Sequence, residues 1–457
     1  MPSIPPEGNV VNLEGRSRHA PRELYSPDGS APSEDAMALG FVARYGREYR
    51  YVAPWHRWIR WEGKRWVPDS TGHVFALIRA MVREVVGGTR HERRIATAAY
   101  VAGVERLARY DQSIVVVPAD LDADPWLLNT QAGIVDLRTG VVTPHDSAAL
   151  MTRLTGAAPE LNQGVELWSR FLADITQGDA ELSAYLQRLA GYCATGMTSE
   201  DIFPYFFGVG SNGKSSFAEA FTAALGDYAL VFAPEVLMEA KGERHPTELA
   251  QFQGVRLALC SEPSSSATWN DSRVKSLTGD ATISARFMRG DNFTFRRTHK
   301  TIVIGNHMPR LNAVTQAIRR RIQMVPFRAV FASSLGTGMR ERLKAEALGA
   351  VLAWAIVGSG EWFIRGTAPP EAVRLLTEDY LAEEDGFGQW LAENCVREQS
   401  AFERSSELHR NYLSWCEKNG IRPESNALLS RYLVGIGLSR EKTMVGRCFR
   451  GLRLREP

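Results

Sequence analysis

The sequence predicts an α/β protein. Its core is a parallel sheet with helices around a phosphate loop, flanked by a mixed α+β N-terminal region and a small helical C-terminal module. Three observations carry that expectation. "GVGSNGKSS", residues 208–216, matches in full the glycine-rich pattern whose backbone N–H groups cradle phosphates. The apolar run "DIFPYFF" precedes it and "SSFAEAFTAAL" follows, with Phe217, Phe221 and Leu225 at helical spacing, so the glycines stand between a buried strand and a helix. Two further apolar strands, "VRLALCSE" and "TIVIGN", end on Glu262 and Asn306.

The 457 residues suffice for about two to four domains. Hydrophobic residues make up 44%, ordinary for packed cores. A net charge of +2 gives no argument for a nucleic-acid partner, so any basic surface must be local. Cys193, Cys260, Cys395, Cys416 and Cys448 lack metal-ligand spacing, and buried thiols in a reducing compartment are expected rather than zinc. The polar, proline-rich start "MPSIPPEGNV" is no secretory signal, and "ALGAVLAWAIVG" is too short to span a bilayer and reads as a core helix.

In chain order, residues 1–37 are expected to be a disordered leader, rich in proline, serine, glycine and charge. Residues 38–164 form the α+β region. Over 38–68 the pattern is β-like, with a turn at Glu62-Gly63-Lys64. Tyr51, Trp55, Trp58, Trp61 and Trp66 alternate with Arg57, Arg60, Lys64 and Arg65. They suit a stacking platform for single-stranded nucleic acid or a small amphipathic sheet; alternation alone predicts strands, so the sheet is expected. Residues 73–110 read as helical, followed by the short strands of "SIVVVP" and "GIVDLRTGVVTP". Asp120, Asp122 and Asp124 imitate a calcium loop, but Pro125 and Gln131 stand where glycine and glutamate are needed, so a surface turn is expected. Residues 165–198 read as a helical collar.

Within 199–371, the phosphate-binding residues are Gly208, Val209, Gly210, Ser211, Asn212, Gly213, Lys214, Ser215 and Ser216. Lys214 is expected to neutralise the β- and γ-phosphates of ATP, and the Ser215 hydroxyl to ligate Mg²⁺. Glu262 is placed to polarise an attacking water and approach the metal, although Ser261 precedes it where many such enzymes carry aspartate. Asn306 is placed to orient that water. Arg319, Arg320 and Arg321 form a charge run that is ordinarily a solvated helix end, but an arginine offered to a neighbouring subunit's γ-phosphate is the functional alternative.

"ISARFMRGDNFTFRR" reads as a hairpin, because Ile283, Ala285 and Phe287 alternate, Arg289 to Asn292 turn, and Phe293 and Phe295 alternate back. Arg286, Arg289, Arg296 and Arg297, with Lys275 and Lys300 nearby, are its candidate DNA-phosphate contacts, a solvated hairpin being the alternative. Residues 372–457 read as a separate module of three short helices, with Ser405 and Ser425 as caps and Gly420 and Gly437 as stops. "TMVGRCFRGLRLRE" then forms a basic two-stranded wing. This is a winged-helix pattern, with Arg447 and Arg450 as DNA contacts, though such modules also bind proteins.

"GVGSNGKSS", "RLALCSE", "VKSLTGDATISAR" and "THKTIVIGNHMPR…AIRRRIQMVPF" resemble, in order and spacing, the four motifs of superfamily 3 helicases. They are most similar to the phage and plasmid primase-helicase family, related to the poxvirus primase-helicase. "DADPWLLNTQAGIVDLRTGVVTPH" resembles that family's domain before the helicase. The resemblance implies an AAA+-like ATPase over 199–371 and a ring of six subunits on single-stranded and forked DNA, with ATP sites between subunits. It also implies 3′-to-5′ unwinding in phage, prophage or plasmid replication, hence the cytoplasm of a bacterial host. Lys214 and Ser215 carry over as phosphate and Mg²⁺ contacts, Glu262 as the water-activating acid and Asn306 as the sensor. Arg320 and Arg321 match the arginine pair, one of which reaches the neighbour. The residues before the collar match the pre-helicase domain, so no primer synthesis is expected and a primase would be a separate chain. The alternative is an ATP-switched origin-binding protein that grips DNA without unwinding it.

Overall fold

The computed structural model describes residues 31–239, 247–263, 268–287, 290–311, 314–331, 333–421, 423–443 and 446–455. They fall into two compact units: one runs to Ala123 and regains Asp146–Thr152, and the other holds Asp124–His145 and everything from Arg153 on. The region expected as 38–164 is thus shared between the two.

The first unit opens with α1 (Glu34–Tyr45), capped by the Ser33 side chain accepting from the Ala36 N–H at 3.1 Å. The expected leader is therefore too long at its C-terminal end, and the β pattern expected from residue 38 starts only at Tyr49. Met37 and Phe41, one helical turn apart, are fully buried and hold the segment as a helix. Strands β1 (Tyr49–Val52), β2 (Arg57–Trp61) and β3 (Trp66–Pro68) pair antiparallel, and β4 (Val115–Val116) joins β1 in parallel. Helices α2 (His73–Val86), α3 (Glu92–Ile95) and α4 (Ala98–Ala108) lie between β3 and β4 in the chain. Tyr51, Trp58 and Trp66 point into the core, with the Arg109 and Arg50 guanidiniums over the Tyr51 and Trp66 rings, so these aromatics serve packing rather than base stacking. Asp120 accepts from the Val117 N–H and Asp122 from the Thr152 N–H, the local bonding of a turn.

The second unit starts with the antiparallel β5 (Leu127–Thr130), β6 (Gly133–Asp136) and β7 (Val142–Thr143). Next come α5 (Val165–Thr176) and α6 (Ala180–Ala194), then β8 (Phe203–Phe207), α7 (Lys214–Leu225), β9 (Ala229–Phe232), α8 (Thr247–Ala250) and β10 (Leu257–Ser261). The helix α9 (Asp271–Gly279) leads to the hairpin β11 (Thr282–Arg286) and β12 (Asn292–Arg296), followed by β13 (Lys300–Gly305), α10 (Gln316–Arg319) and β14 (Ile322–Pro326). Five of these strands form one parallel sheet in the order β14-β8-β13-β10-β9.

Period-two alternation divides the sheet's side chains between two cores. Phe206, Leu257, Leu259, Ile302, Ile304 and Val325 pack with α5, α6, α7 and the later helix α12 (Leu348–Arg365). Tyr205, Ala258, Cys260, Val303 and Met324 face the other side, with Trp269, Val274, Ile283 and Phe295. Each Phe or Leu so buried contributes roughly 1.5–3 kcal/mol. Among the described residues no single helix is long and apolar enough to cross a membrane.

The helices α11 (Ser333–Glu346) and α12 are followed by α13 (Glu371–Glu384), which belongs to the sheet rather than to a module starting at 372. Thr377 Oγ1 accepts from the Met324 N–H at 2.9 Å, Tyr380 donates to the Pro309 carbonyl at 2.6 Å, and Leu381 joins the second core. The module with its own core is α14 (Gly386–Asn394), β15 (Cys395–Arg404), α15 (Ser405–Asn419), α16 (Asn426–Gly435), β16 (Ser439–Thr443) and β17 (Gly446–Leu454). Its antiparallel sheet has the order β15-β17-β16, one strand more than the expected wing. Ser425 caps α16 by accepting from Leu428 N–H, but Ser405 caps nothing: Arg404 holds the cap position and the Ser405 hydroxyl donates to Asn426 Oδ1 at 3.0 Å. Asp385 joins the two parts. It caps α14 through the Gly388 N–H (2.9 Å), accepts from the Tyr432 hydroxyl (3.3 Å) and faces Arg319 on α10 (3.8 Å).

Candidate active site

The loop from Gly208 to Gly213 leaves the C-terminal edge of β8 and enters α7, whose first residues are Lys214, Ser215 and Ser216. Two glycines are sterically required. A Cβ on Gly208 would stand 2.1 Å from Asn212 Nδ2 and 2.2 Å from the Phe327 carbonyl oxygen, and one on Gly213, which has φ +85°, would meet Ile175 Cγ2 at 2.4 Å. The chain therefore folds back on itself and packs on α5, with the start of α7 facing a cavity.

Lys214 is buried, with 4% of its surface exposed. Its Nζ donates to the Gly208 carbonyl (2.7 Å), Asn212 Oδ1 (2.8 Å) and Asn306 Oδ1 (3.0 Å). Asn212 is fixed in turn by its Nδ2 donating to the Phe327 carbonyl at 3.0 Å. Burial lowers the Lys214 pKa to about 8, and the nearby Glu262 charge opposes the shift. Glu262 follows β10 with φ +43°, a left-handed conformation costly for a non-glycine residue. Asn306 follows β13. Since β8, β13 and β10 are neighbours, the ends of three adjacent parallel strands bring Lys214, Asn306 and Glu262 to one place.

That place is a cavity of about 470 Å³. Gly210, Ser211, Asn212, Gly213, Lys214, Ser215, Ser216, Glu262 and Asn306 line it. Gly208 is the carbonyl beneath the lysine, while Val209 is 84% exposed and outside the lining. A desolvated ammonium at a helix start is a cradle for an anion. Oxygen donors for a hard cation on this wall are the Ser215 hydroxyl and the Glu262 carboxylate. Among the described residues no group of three or more His, Cys, Asp or Glu makes a metal cage, so this pair suits an ion that arrives with phosphates.

Sequence reasoning missed the opposite wall: Phe171 and Asp174 of α5, Phe331, and Met339 and Arg340 of α11. Arg340 Nη1 lies 3.0 Å from Glu219 on α7, and Lys344 shares that carboxylate at 2.7 Å. These residues carry no local motif. Only the periodicity of α5, which puts Phe171, Asp174 and Ile175 on one face, hinted at them.

Three of the expected basic residues are turned inward. Arg321 is 5% exposed; its guanidinium donates to Asp201 at 2.8 Å and to the Ala317 carbonyl at 2.9 Å, so it cannot reach a neighbouring subunit. Arg320, at 63% side-chain exposure and 3.8 Å from Asp201, remains the outward one of the pair. Arg297 is buried and donates to the Asp280 and His299 carbonyls. Lys300 is buried over the Tyr192 ring and donates to the carbonyls of Thr195, Met197 and Thr298. Neither can contact DNA.

The hairpin forms as expected, with Ala285 opposite Phe293 and Arg286 opposite Asn292. Ile283, Ala285 and Phe295 anchor it in the core, while Arg286 and Arg296 are exposed and Phe287 stacks on Phe293 at 4.5 Å. Lys275, on α9, is half-buried, and Arg289 lies outside the described residues. On the C-terminal module Arg447 is exposed, whereas Arg450 lies 3.8 Å from Glu441 and over the Phe402 ring.

Residues 38–177 match the family described as "D5 N terminal like", and residues 206–321 the "Family of unknown function (DUF5906)". A protein of Acanthamoeba polyphaga mimivirus called "Putative helicase L207/L206" is 26% identical over 329 residues, covering 66% of this chain and 34% of that protein. "Putative helicase 022R" of Frog virus 3 is 26% identical over 255 residues, covering 51% and 26%. "Uncoating factor OPG117" of Vaccinia virus is 24% identical over 245 residues, covering 49% and 30%. The chain thus spans about a third or less of the length of these relatives. Among solved structures, the apo C-terminal region of NrS-1 (305–718) aligns with 92% of this chain and 99% of its own at 9% identity, with a TM-score of 0.49.

Proposed function

The chain belongs to the D5-like primase-helicase family, and from that premise we propose that it is an ATP-driven DNA helicase acting in replication. The observation that carries the reading is the meeting of Lys214, Glu262 and Asn306 at adjacent strand ends around one cavity. Lys214 meets the negative charge of the β- and γ-phosphates, and the N–H groups at the start of α7 bind their oxygens. Ser215 and Glu262 would hold Mg²⁺, which when bound neutralises phosphate charge. Glu262 accepts a proton from the attacking water, and the Asn306 amide, released from Lys214, orients it. These are residues suited to hydrolysis rather than to holding a second small-molecule substrate.

In this reading the chain works as a ring, six subunits being the family expectation. Arg320 completes the neighbour's site and the β11–β12 hairpin tracks DNA phosphates with Arg286 and Arg296. The 3′-to-5′ direction, a phage, prophage or plasmid setting in a bacterial cytoplasm, and a primase on a separate chain belong to the same proposal.

The test is ATP-dependent unwinding of a forked DNA by the wild type beside Lys214→Ala. Unwinding by the wild type alone is expected. DNA-stimulated hydrolysis without unwinding would turn the reading to a switch that grips DNA, and hydrolysis surviving Lys214→Ala would remove the catalytic assignment.

A further inference from the structure

The C-terminal module carries a second concavity, a cleft of about 800 Å³ between the start of α15, one face of α16 and the strands β16 and β17. Arg404, Arg431, Arg440 and Arg447 line it, all exposed, and no carboxylate does. Among the described residues none of the four enters an ion pair. Their neighbours do otherwise: Arg453 pairs with Glu398 at 2.7 Å, Arg450 approaches Glu441, and Arg455 donates to the Cys395 and Ala392 carbonyls. Arg450, Arg453 and Arg455 are thus satisfied away from the cleft, whereas the four arginines lining it are unpaired.

A second observation is independent of the arginines. The 15-residue helix α15 opens into the cleft without a side-chain cap, because its cap residue Arg404 has no side-chain acceptor. Its first N–H groups lack the acceptor that a capped helix supplies. Four guanidinium forks and an uncapped helix start converge on one volume, an arrangement that suits phosphate oxygens.

We propose that this cleft grips consecutive phosphates of a nucleic-acid strand without reading the bases. The proposal rests on the nucleic-acid side of the function above but not on the motor. A strand carries one charge about every 3.4 Å, so several guanidiniums side by side match a backbone better than one isolated anion. Base edges are read by arginine forks on guanine or by amide pairs on adenine. Here Asn426 Oδ1 is taken by Ser405 (3.0 Å) and lies 3.5 Å from Ser430 Oγ. On that helix face Ala427, Ser430 and Val434 are too short to reach a base edge, and its long side chain, Arg431, belongs to the four-guanidinium array. Phosphate contacts position a protein without specifying sequence. The cleft includes Arg447 and leaves out Arg450, so the wing's two expected contacts separate.

The experiment measures binding of the full chain to fluorescein-labelled duplexes of two unrelated sequences by anisotropy, without ATP, over a range of KCl. Each of Arg404→Ala, Arg431→Ala, Arg440→Ala and Arg447→Ala is expected to flatten the slope of log affinity against log salt by about one, equally on both sequences. The four together should flatten it by about three to four. Arg453→Ala and Arg455→Ala remove the same charge and are expected to leave the slope at the wild-type value. Equal flattening by these controls, an effect confined to one sequence, or displacement by poly-glutamate at lower charge concentration than by DNA would each overturn the proposal. Lys214→Ala separates the two readings: it should lose hydrolysis and keep the full salt slope.

Discussion

The two edges of the parallel sheet treat cations in opposite ways. At the C-terminal edge a single buried ammonium, Lys214, faces a cavity beside Glu262 and Asn306. At the N-terminal edge Arg256 stands before β10, Lys300 begins β13 and Arg321 stands before β14, all buried. Two of them meet carbonyls near the end of α6: Arg256 donates to Ala194 at 2.8 Å, and Lys300 to Thr195 and Met197, while Arg321 is held by Asp201 and the Ala317 carbonyl. Helix polarity explains the difference. The start of α7 offers N–H groups and partial positive charge to the C-terminal edge, whereas α6 directs unsatisfied carbonyls at the N-terminal edge. The first edge is left wanting an anion; the second is already neutralised.

This contrast is best broken at the two adjacent arginines. If Arg320 is the trans-acting residue, Arg320→Ala should lower DNA-stimulated ATP hydrolysis about 10³-fold or more while leaving the melting temperature unchanged. Arg321→Ala should act through stability instead, costing about 1–3 kcal/mol because it removes the hydrogen bond to the half-exposed Asp201, which keeps only the 3.8 Å approach of Arg320. Equal activity loss at equal stability would make both catalytic.

A smaller effect separates the two lysines. Lys300→Ala leaves three carbonyls without their donor, and a loss of about 3 kcal/mol is expected in the denaturant midpoint. Lys214→Ala also removes the donor to three acceptors, but these border the cavity, where water can replace it, so a smaller loss is expected. A lower midpoint for Lys214→Ala than for Lys300→Ala would contradict the contrast between edges.

The smallest effect is in pH. Lys214 is charged at pH 7 and loses its proton as pH passes about 8. Nucleotide affinity, followed with a fluorescent ATP analogue, should hold up to that pH and then weaken about tenfold per unit. Stability runs the other way. The folded-state pKa is depressed, so the cost of the buried charge is fully present below about 8 and is relieved as pH rises toward the unfolded value. In Lys214→Met both dependences should disappear.

The C-terminal edge was legible because its signals are local: a glycine pattern, and polar residues closing apolar runs. The N-terminal edge was not. Arg297, Lys300 and Arg321 sit beside a hairpin and in a basic run, where sequence reads solvated charge; Lys300 is buried against carbonyls just past α6 and Arg321 against Asp201, each about a hundred or more residues earlier in the chain. The cavity's other wall, Phe171, Asp174 and Arg340, is assembled by topology alone. Strand β15 escaped because "CVREQSAFER" is mostly polar and becomes a strand only by pairing with β17. Met37 and Phe41 show the converse: one fell in the polar leader and the other in the β-like stretch, so their helical spacing went unread.

Asp385 has a mechanical consequence. One carboxylate is shared by the cap of α14, by Tyr432 on α16 and by Arg319, next in the chain to Arg320. It works as a pivot pin between a gripping part and the segment that offers an arginine outward. Load applied to the C-terminal module therefore reaches α10 through this carboxylate as well as along the chain from α13 into α14.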